Sequence, residues 1–435
     1  MNAVWYKSII ALYDSLFCGL SGDCANKKAH IELYKNYVNA FNKISAELDV
    51  ADRENADKNS SVFRSLKVDE TFNMNAAYLH ELYFANIGDQ ASQIKNFSQT
   101  WPKPSKLHPI VIIGTGGIVK DAHLPAYKKA GFNVVGLYDV DKDKAEALAK
   151  EYEIKKVFSS FEESFENNDC IFDLALPPAN LLEVVEKLPE NIFAIFQKPL
   201  GRSLEEGEKI RKICHQKNIK ACMNFQLRFS PIALPVYEAI QKNLLGDLVE
   251  LEVHVNVHTP WELWPFLKTL DRVEVPLHSI HYIDWIRSVL GNPKSLYCQS
   301  VKHPKVNELA DCRTSAIFNY GDQVRCCMTI NHCHSFGRKN QDAYIRLEGT
   351  KGAAKMTLGL LLDYPNGEPE ELEIKTENTD WIKFDIKGKW FPDAFIGVMS
   401  NMQRFKNGED DKLITSIDDS IDTMAVVDSC GISSQ

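Results

Sequence analysis

The stretch Pro109-Ile-Val-Ile-Ile-Gly-Thr-Gly-Gly-Ile-Val119 decides the fold of this chain. Its first five residues are apolar, which is typical of a buried strand in a parallel sheet. The glycines that follow predict a tight turn at Gly114 and a close approach of the backbone to a phosphate at Gly116. The next residues begin a helix, whose free N–H groups favour anions. The stretch therefore predicts a strand, a phosphate-binding turn and a helix.

A second apolar segment, residues 132–138, ends in Asp139, which lies 25 residues after Gly114. An acidic residue about 20 residues after the first glycine of such a turn hydrogen-bonds the adenosine ribose of a dinucleotide. Because a carboxylate at this position repels a 2′-phosphate, the sequence predicts NAD rather than NADP as the cofactor. The alternative is that Asp139 only begins a turn and caps the helix that starts near Lys142.

The composition is that of a globular protein with two or three domains. The chain has 435 residues, of which 44% are hydrophobic and 25% charged, and its net charge is −9. This negative balance, without a basic patch along the chain, argues against a nucleic-acid partner. The 11 cysteines form no CxxC pair, so we expect reduced thiols and a cytoplasmic protein.

Apolar residues near the N-terminus raise the question of an export signal or a membrane span. Trp5, Ile9, Leu12 and Leu16 recur at helical spacing, and Asp14 interrupts the apolar run. This pattern favours an amphipathic helix, so we expect no membrane partner.

Three domains are expected. Residues 1–100 show no strand-like alternation and predict two or three helices, with a polar break at residues 49–60. Prolines among polar residues mark residues 101–108 as a linker. An α/β domain is expected over residues 109–225 and a further domain over residues 226–435.

Strands and helices alternate through the second of these domains, which indicates α/β architecture: a doubly wound parallel sheet of the Rossmann type. The predicted strands are Pro109–Gly114, Phe132–Tyr138, Phe172–Leu176, Ile192–Phe196 and Lys220–Asn224. The predicted helices end at Lys129, run over Lys142–Tyr152, end at Lys187 and run over Ser203–Gln216.

The last domain has longer alternating segments, which predict an α+β domain with a large open sheet, mixed or antiparallel and buried on one face. The predicted strands are Val249–Val257, Ser295–Val301, Thr314–Asn319, Val324–Asn331, Ala343–Glu348 and Glu371–Thr376. The predicted helices are Ser230–Asn243, His278–Leu290 and Asp393–Asn407.

An aromatic loop in this domain suits a sugar. Trp261 and Trp264 offer rings for the C–H faces of a sugar, and Arg228 offers hydrogen bonds to its hydroxyls. The two tryptophans equally fit an interface patch or the core beneath the loop. His332 and His334 share a strand face, but two ligands are too few for a metal site, and no metal is expected.

Seven short motifs occur in order from Pro109 to the C-terminal region. They are Gly114-Thr-Gly-Gly-Ile-Val119, Leu176-Pro-Pro178, Gln197-Lys-Pro199, Arg228-Phe-Ser-Pro231, His278-Ser-Ile-His-Tyr-Ile-Asp284, Glu348-Gly-Thr-Lys-Gly352 and Pro392-Asp-Ala-Phe-Ile396. Together they resemble the GFO/IDH/MocA family of nicotinamide-dependent oxidoreductases. The resemblance implies a Rossmann domain, a C-terminal domain with a large open sheet, and homo-oligomers formed through that sheet. The residues assigned to the cofactor are Gly114, Thr115, Gly116, Gly117, Ile118, Asp139, Pro177, Gln197 and Lys198.

Two residues match the catalytic positions of this family. Lys198 lies in a motif where Gln197 replaces the family's glutamate, and its bond to Pro199 is a candidate cis peptide. The resemblance implies that Lys198 hydrogen-bonds the substrate hydroxyl and that His281 accepts its proton as hydride leaves. The alternatives are a solvated lysine at a strand end and a histidine of the core. His278, three residues before His281, is expected to share its helix face and to contact substrate.

The chain departs from the family at Leu277. The family has an aspartate or glutamate four residues before its histidine, and leucine cannot orient an imidazole. Glu274, Asp271 and His278 are polar neighbours, but none stands at the matching position. The leading hypothesis is an NAD-dependent oxidoreductase that acts on a small sugar, polyol or sugar derivative. The alternatives are a dinucleotide-binding regulatory protein without turnover, and NAD-dependent elimination or hydrolysis of a glycoside.

The N-terminal domain resembles the helical hairpin of iron/manganese superoxide dismutases, through residues 30–42 and 72–86. His80 falls at the family's second-helix metal ligand, and Tyr37 falls at its gating tyrosine. The first-helix ligand position is Ala29, with His30 one residue, or about 100° of helix, out of register. The ligands of the family's second domain have no counterpart here. We therefore expect a relic hairpin that serves packing or association without a metal.

Overall fold

The computed structural model describes residues 24–54, 56–58, 60–88, 90–167 and 169–434. The helix predicted over residues 5–20 lies outside the described residues. The chain divides into two compact units, Met1–Asn96 and Phe97–Gln435. Among the residues that the structure describes, no helix is long and apolar enough to cross a membrane.

The first unit is helical, as predicted. Helix α1 (Cys24–Val50) and helix α2 (Val62–Gly88) form a hairpin, and a short helix α3 (Gln90–Lys95) follows. The core of the hairpin contains Tyr34, Val38 and Ala77. The predicted polar break corresponds to the turn between α1 and α2, because charged and amide side chains have no apolar face to bury there.

The second unit begins with a six-stranded parallel sheet, which confirms the predicted Rossmann architecture. Its strand order is β3-β2-β1-β4-β5-β6. The strands are β1 (Ile110–Ile113), β2 (Val134–Tyr138), β3 (Lys156–Val157), β4 (Ile171–Leu174), β5 (Phe193–Phe196) and β6 (Lys220–Met223). The chain order reverses between β1 and β4, so ligands are expected beyond the carboxyl ends of these two strands. The two-residue strand β3 was not predicted, since it is too short to show alternation.

Helices cover this sheet. They are a π-helical turn (Val119–His123) that continues into α4 (Leu124–Ala130), then α5 (Lys142–Glu151), α6 (Pro178–Lys187) and α7 (Leu204–Gln216). Gly131 ends α4 in the left-handed conformation, with φ 75°. Ser203 caps α7, because its side chain accepts a hydrogen bond from the backbone N–H of Glu206.

A mixed sheet follows, as predicted, but it has eight strands rather than the six that were predicted. Its order is β14-β13-β12-β11-β7-β10-β9-β8, and only the pair β7 and β10 is parallel. The strands are β7 (Leu248–Asn256), β8 (Ser295–Val301), β9 (Arg313–Asn319), β10 (Arg325–Asn331), β11 (Asp342–Gly349), β12 (Gly352–Thr357), β13 (Glu371–Thr376) and β14 (Ile382–Lys383). Buried and accessible residues alternate along β9 and β10, so one face of the sheet is covered.

Four helices accompany this sheet. They are α8 (Leu234–Gln241), a π-helical turn (Glu274–Ser279) that continues into α9 (Ile280–Leu290), α10 (Asp393–Lys406) and α11 (Ile417–Ser433). Helix α10 inserts Phe395, Met399 and Met402 into the core that contains Ile110 and Ile112 of β1. The C-terminal part of the chain thus completes the Rossmann core.

The predicted linker, residues 101–108, belongs to the second unit and is hydrogen-bonded to α10 and to the residues that follow it. Trp101 Nε1 donates to Asp410 at 3.1 Å, and the backbone N–H of His108 donates to Gln403 at 2.7 Å. These bonds fix the segment that leads into β1.

Arg228, which was predicted to bind substrate, has its guanidinium engaged within the protein. Its guanidinium is buried and donates to both carboxylate oxygens of Asp284, at 2.7 and 2.6 Å. It also lies 2.7 Å from a carboxylate oxygen of Asp419 and donates to the carbonyl of Ile414 at 3.3 Å. Because most of its donors are engaged, Arg228 is a structural anchor that holds α9 against α11.

This anchor predicts a large loss of stability in Arg228→Met. Removal of the guanidinium leaves the Asp284 carboxylate buried without its cation, which typically costs about 3–5 kcal/mol. We expect the free energy of unfolding of the second unit to fall by about this amount, measured by urea titration of tryptophan fluorescence.

The matched control is Arg202→Met, because the Arg202 side chain is 66% exposed in its pair with Glu206. Exposed pairs contribute about 0–1 kcal/mol. Equal losses in the two variants would contradict the anchoring role of Arg228.

Candidate active site

The glycine turn after β1 leaves room for a phosphate. Gly114 has φ 92°, and a Cβ there would lie 2.5 Å from the carbonyl oxygen of Ala175 after β4, so only glycine fits. A Cβ on Gly116 would meet no atom within 4 Å. Gly116 and Gly117 are exposed, and half-buried Ile118 leads into the π-helical turn. The turn lies where the strand order reverses, and its shape fits the diphosphate of a dinucleotide.

Asp139 connects the end of β2 to this turn. One of its carboxylate oxygens accepts hydrogen bonds from Thr115, from the backbone N–H at 2.6 Å and the hydroxyl at 2.8 Å. The other oxygen accepts from the backbone N–H of Asp141 at 2.8 Å. Asp141 itself caps α5, so the alternative capping role considered for Asp139 is wrong. The second oxygen keeps an acceptor position that a ribose hydroxyl could use.

Pro177 and Gln197 lie at the carboxyl ends of β4 and β5. Pro177 is exposed and precedes α6. The Gln197 side chain accepts a hydrogen bond from the backbone N–H of Lys198 at 3.0 Å. Gln197 therefore braces the lysine that follows it.

Lys198 extends from the end of β5 to the segment before α9. The predicted cis peptide between Lys198 and Pro199 is present. Lys198 Nζ donates a 2.6 Å hydrogen bond to the backbone carbonyl of Leu277. Burial lowers the pKa of Lys198 to about 8, because the charged ammonium is disfavoured away from water. An amine in this range can hydrogen-bond a reacting hydroxyl.

His281, in the first turn of α9, is buried, and the Trp390 ring meets it edge-on at 5.8 Å. Its Nδ1 has no hydrogen-bond partner among the described residues. Burial, and then the positive charge of Lys198, lower the pKa of His281 well below its usual range. Trp390 was not among the site residues predicted from the sequence.

A cluster of His278, Glu274 and His332 lies beside these residues. The imidazole rings of His278 and His332 are 4.9 Å apart. The buried Glu274 carboxyl lies 3.9 Å from His278 Nδ1 and 3.7 Å from His332 Nε2. Glu274 was named only as a neighbour of the site, although its spacing of four residues before His278 is a signal that places both on one helix face.

The tryptophans of the aromatic loop lie near this cluster. Trp261 is buried and meets the His278 ring edge-on at 5.3 Å. Trp264 is half-buried and packs against Tyr364, with ring centroids 5.3 Å apart. The structure thus brings Trp261, His278, His281 and Lys198 together.

The two histidines considered for a metal do not converge. His332 joins the cluster and shares a 2.7 Å hydrogen bond with Thr259, whereas His334 contacts the carbonyl of Gly337 at 3.2 Å. Within the described ranges, no group of three histidine, cysteine or acidic side chains is arranged to hold a metal ion.

In the hairpin, His30 faces His80 despite its shifted register. His30 Nδ1 lies 3.4 Å from His80 Nε2, and the Tyr37 ring lies 5.5 Å from the His80 ring. The imidazole of His30 also packs beside the ring of Tyr83 in α2, with ring centroids 4.5 Å apart.

Two known proteins are similar to separate parts of the chain. Glucose-6-phosphate 3-dehydrogenase of Bacillus subtilis is 28% identical over 153 residues, which cover 33% of this chain and 41% of that enzyme. The iron superoxide dismutase of Aquifex aeolicus is 50% identical over 57 residues, which cover 12% of this chain and 27% of that protein. The chain thus spans about two-fifths of the first relative and about a quarter of the second. The second match supports the predicted resemblance of the hairpin.

A solved structure shares the fold of the second unit. An oxidoreductase from Agrobacterium radiobacter, in complex with NAD+, L-tartaric acid and magnesium, has a TM-score of 0.64 at 17% identity. The match covers 76% of this chain and 96% of that protein.

Two family models match the chain in sequence. Residues 109–225 match the oxidoreductase family with an NAD-binding Rossmann fold, and residues 234–355 match the GFO/IDH/MocA C-terminal domain. The two models together cover more than half of the chain. The protein therefore belongs to the GFO/IDH/MocA family of oxidoreductases and has the family's NAD(P)-binding Rossmann fold, preceded by a superoxide dismutase-like hairpin.

Proposed function

We propose that this protein is an NAD-dependent oxidoreductase that transfers hydride between nicotinamide and a hydroxyl-bearing or carbonyl carbon of a sugar, polyol or sugar derivative. The observation that supports this most directly is the approach of Lys198 to two imidazoles, His278 and His281, at the same carboxyl edge of the parallel sheet as the glycine turn. A hydroxyl there has both a hydrogen-bonding amine and a proton acceptor within one site. The similarity to a glucose-6-phosphate 3-dehydrogenase supports the sugar class.

The glycine turn and Asp139 would hold the dinucleotide, which supplies the hydride acceptor when bound. Lys198 would donate a hydrogen bond to the substrate oxygen and stabilise the negative charge that develops there as its proton leaves. His281 stands at the family's catalytic position, and His278 is the second imidazole able to take that proton. The Trp261 ring covers this part of the site and helps to exclude water.

A second candidate is a dinucleotide-binding protein without turnover. Leu277 stands where the family has a carboxylate, and His281 Nδ1 has no partner among the described residues. This candidate predicts NAD binding without reduction of NAD by any sugar.

Two further proposals concern the oligomeric state and the cellular location. The outer face of the eight-stranded sheet includes Tyr297 and Ile317, which are 61% and 60% exposed, and this face suits a homo-oligomer. The reduced cysteines and the negative net charge fit a cytoplasmic protein with a small-molecule substrate and without nucleic-acid or membrane partners.

The pKa of Lys198 predicts the pH dependence of the reaction. Because its pKa is about 8, the ammonium loses its proton as the pH rises through about 8. We expect kcat/KM for sugar oxidation to decline above this pH and the decline to move to higher pH in Lys198→Arg. Lys198→Met should lower kcat/KM about 100-fold or more.

The measurement is NADH absorbance with a panel of sugars, sugar phosphates and polyols. Lys187→Met, at an exposed position in an ion pair with Glu183, is the control and should leave the rate unchanged. If NAD binds to the wild type but no compound of the panel reduces it, the oxidoreductase proposal fails.

Asp139 predicts the cofactor preference. Asp139→Ser removes a charged acceptor, so we expect NAD to bind about tenfold more weakly and the discrimination against NADP to decrease. Calorimetric titration with NAD and with NADP measures both effects. Asp143→Ser, which removes an exposed carboxylate in the first turn of α5, is the matched control and should leave both affinities unchanged. A wild-type protein that binds NADP more tightly than NAD would refute the assignment of Asp139 to the ribose of NAD.

We propose that the hairpin serves packing or association without a metal. His30 and His80 supply two imidazoles, whereas redox-metal sites need three or four ligands at fixed geometry. Elemental analysis of the purified protein should find no stoichiometric iron or manganese, and His80→Ala should not change the metal content. Stoichiometric metal that disappears in His80→Ala would overturn the proposal.

A further inference from the structure

The imidazoles of His278 and His281 differ in the groups that surround their Nδ1 atoms. His278 Nδ1 is buried and faces the Glu274 carboxyl at 3.9 Å, and neither that nitrogen nor Glu274 Oε2 has a hydrogen-bond partner among the described residues. His281 Nδ1 is also buried, but no carboxyl group lies within 4.0 Å of it in the described part of the chain. A buried, unpartnered carboxyl oxygen is costly unless another group uses it.

The missing family carboxylate accounts for the environment of His281. Leu277 stands at that position, packs with Trp261 and Leu267 in an apolar cluster, and contributes only its backbone carbonyl, which accepts from Lys198. The nearest acid along the chain, Glu274, lies one turn earlier. It has the same spacing of four residues from His278 that the family's acid has from the position of His281.

His332 also faces Glu274, at 3.7 Å, but it cannot reach a ligand as easily. Its side chain is only 3% exposed and its Nδ1 is engaged with Thr259, whereas the His278 side chain is 25% exposed. His278 is therefore the imidazole that has both an accessible edge and a carboxyl group behind it. Glu274 is held in place by Ser279, whose hydroxyl donates to Glu274 Oε1 at 2.9 Å.

We propose that the proton released in the reaction is accepted by His278 and passed to Glu274, so that the acid–base pair of this enzyme is one turn removed from the family position. This inference rests on the proposed oxidoreductase function. During alcohol oxidation the O–H bond breaks and its proton goes to His278 Nε2, while the hydride leaves carbon for the nicotinamide. The proton on His278 Nδ1 moves to Glu274 Oε2, and carbonyl reduction reverses each transfer.

The charges around the pair are consistent with this role. Burial raises the pKa of Glu274 well above its usual range, the Ser279 hydrogen bond opposes this shift, and Asp311 and Cys312 add to it. Burial lowers the pKa of His278 well below its usual range, and the neighbouring His332, Lys198 and His281 lower it further. The raised pKa makes the Glu274 carboxylate a stronger proton acceptor, and the lowered pKa of His278 favours transfer of its proton to Glu274 over retention as an imidazolium. The gap of 3.9 Å is of the kind that closes when a catalytic complex forms.

A first experiment tests the pair without requiring turnover. The protein is labelled with 15N-histidine and saturated with NAD, and the imidazole resonances are followed by NMR from acidic to alkaline pH, with His278→Gln used for assignment. We expect Glu274→Gln to change the tautomer or the titration midpoint of His278 and to leave exposed His258 unchanged. An unchanged His278 signal overturns the proposal, whether or not a substrate is known.

A second experiment uses the pH profile of NADH formation. We expect Glu274→Gln and His278→Gln to lower kcat about 100-fold and to remove the same limb of the kcat profile, with little change in KM. Added imidazole should restore part of the rate in His278→Ala but not in Glu274→Gln. His281→Gln should keep that limb, and a loss of the limb only in His281→Gln would overturn the proposal.

His334→Gln, at a half-buried position outside the cluster, is the matched control and should retain the wild-type profile. The two experiments distinguish failure of the oxidoreductase proposal from failure of the proposed Glu274–His278 pair. A wild type that binds NAD but reduces none of it sinks the oxidoreductase proposal, whereas the NMR titration still decides whether Glu274 and His278 share a proton.

Discussion

The hydrogen bond from Lys198 Nζ to the carbonyl of Leu277 is the constraint on which the site depends. It joins the carboxyl end of β5 to the π-helical turn before α9, and so fixes the distance between the cofactor side and the imidazoles. The acceptor is an uncharged backbone group. A carboxylate partner would hold the ammonium in its charged form, whereas a carbonyl leaves burial to dominate and the pKa near 8. Because an ammonium has three N–H donors, this bond leaves two of them for the substrate oxygen of the proposed reaction.

The parts of the fold that could be predicted from the sequence are those determined by local patterns. The apolar run of β1, the glycine turn and the alternation along β13 follow from periodicity and from the conformational demands of Gly114. Elements without a local pattern were missed. Strand β12, Gly-Ala-Ala-Lys-Met-Thr, has one β-branched residue, and α11 was not distinguished from the polar residues before it. Both owe their place to packing on neighbours that are far away in the chain.

The residues of the candidate site also divide into those marked by a local motif and those placed only by tertiary contacts. Lys198 and His281 were predicted because motifs mark them. The ion pairs of Arg228 were not predicted, since its partners Asp284 and Asp419 are 56 and 191 residues away. His332 and Trp390 also could not be found locally, because β10 and the segment before α10 bring them to α9 only in the folded chain. Ion pairs and ring contacts between residues far apart in the chain cannot be predicted from a single sequence.

Both sides of the site begin with a π-helical turn, Val119–His123 before α4 and Glu274–Ser279 before α9. In such a turn the hydrogen bonds run over one more residue than in an α-helix, so one residue is accommodated without breaking the helix. The geometry makes the set of side chains that faces the cleft sensitive to a single insertion or deletion. One residue gained or lost within 274–279 would rotate Glu274 relative to α9 by about 100°. The helix axis and the buried face of α9 would be left in place. A chain built this way could change the acidic side chain that faces its imidazoles by the insertion or deletion of one residue, without rebuilding its core.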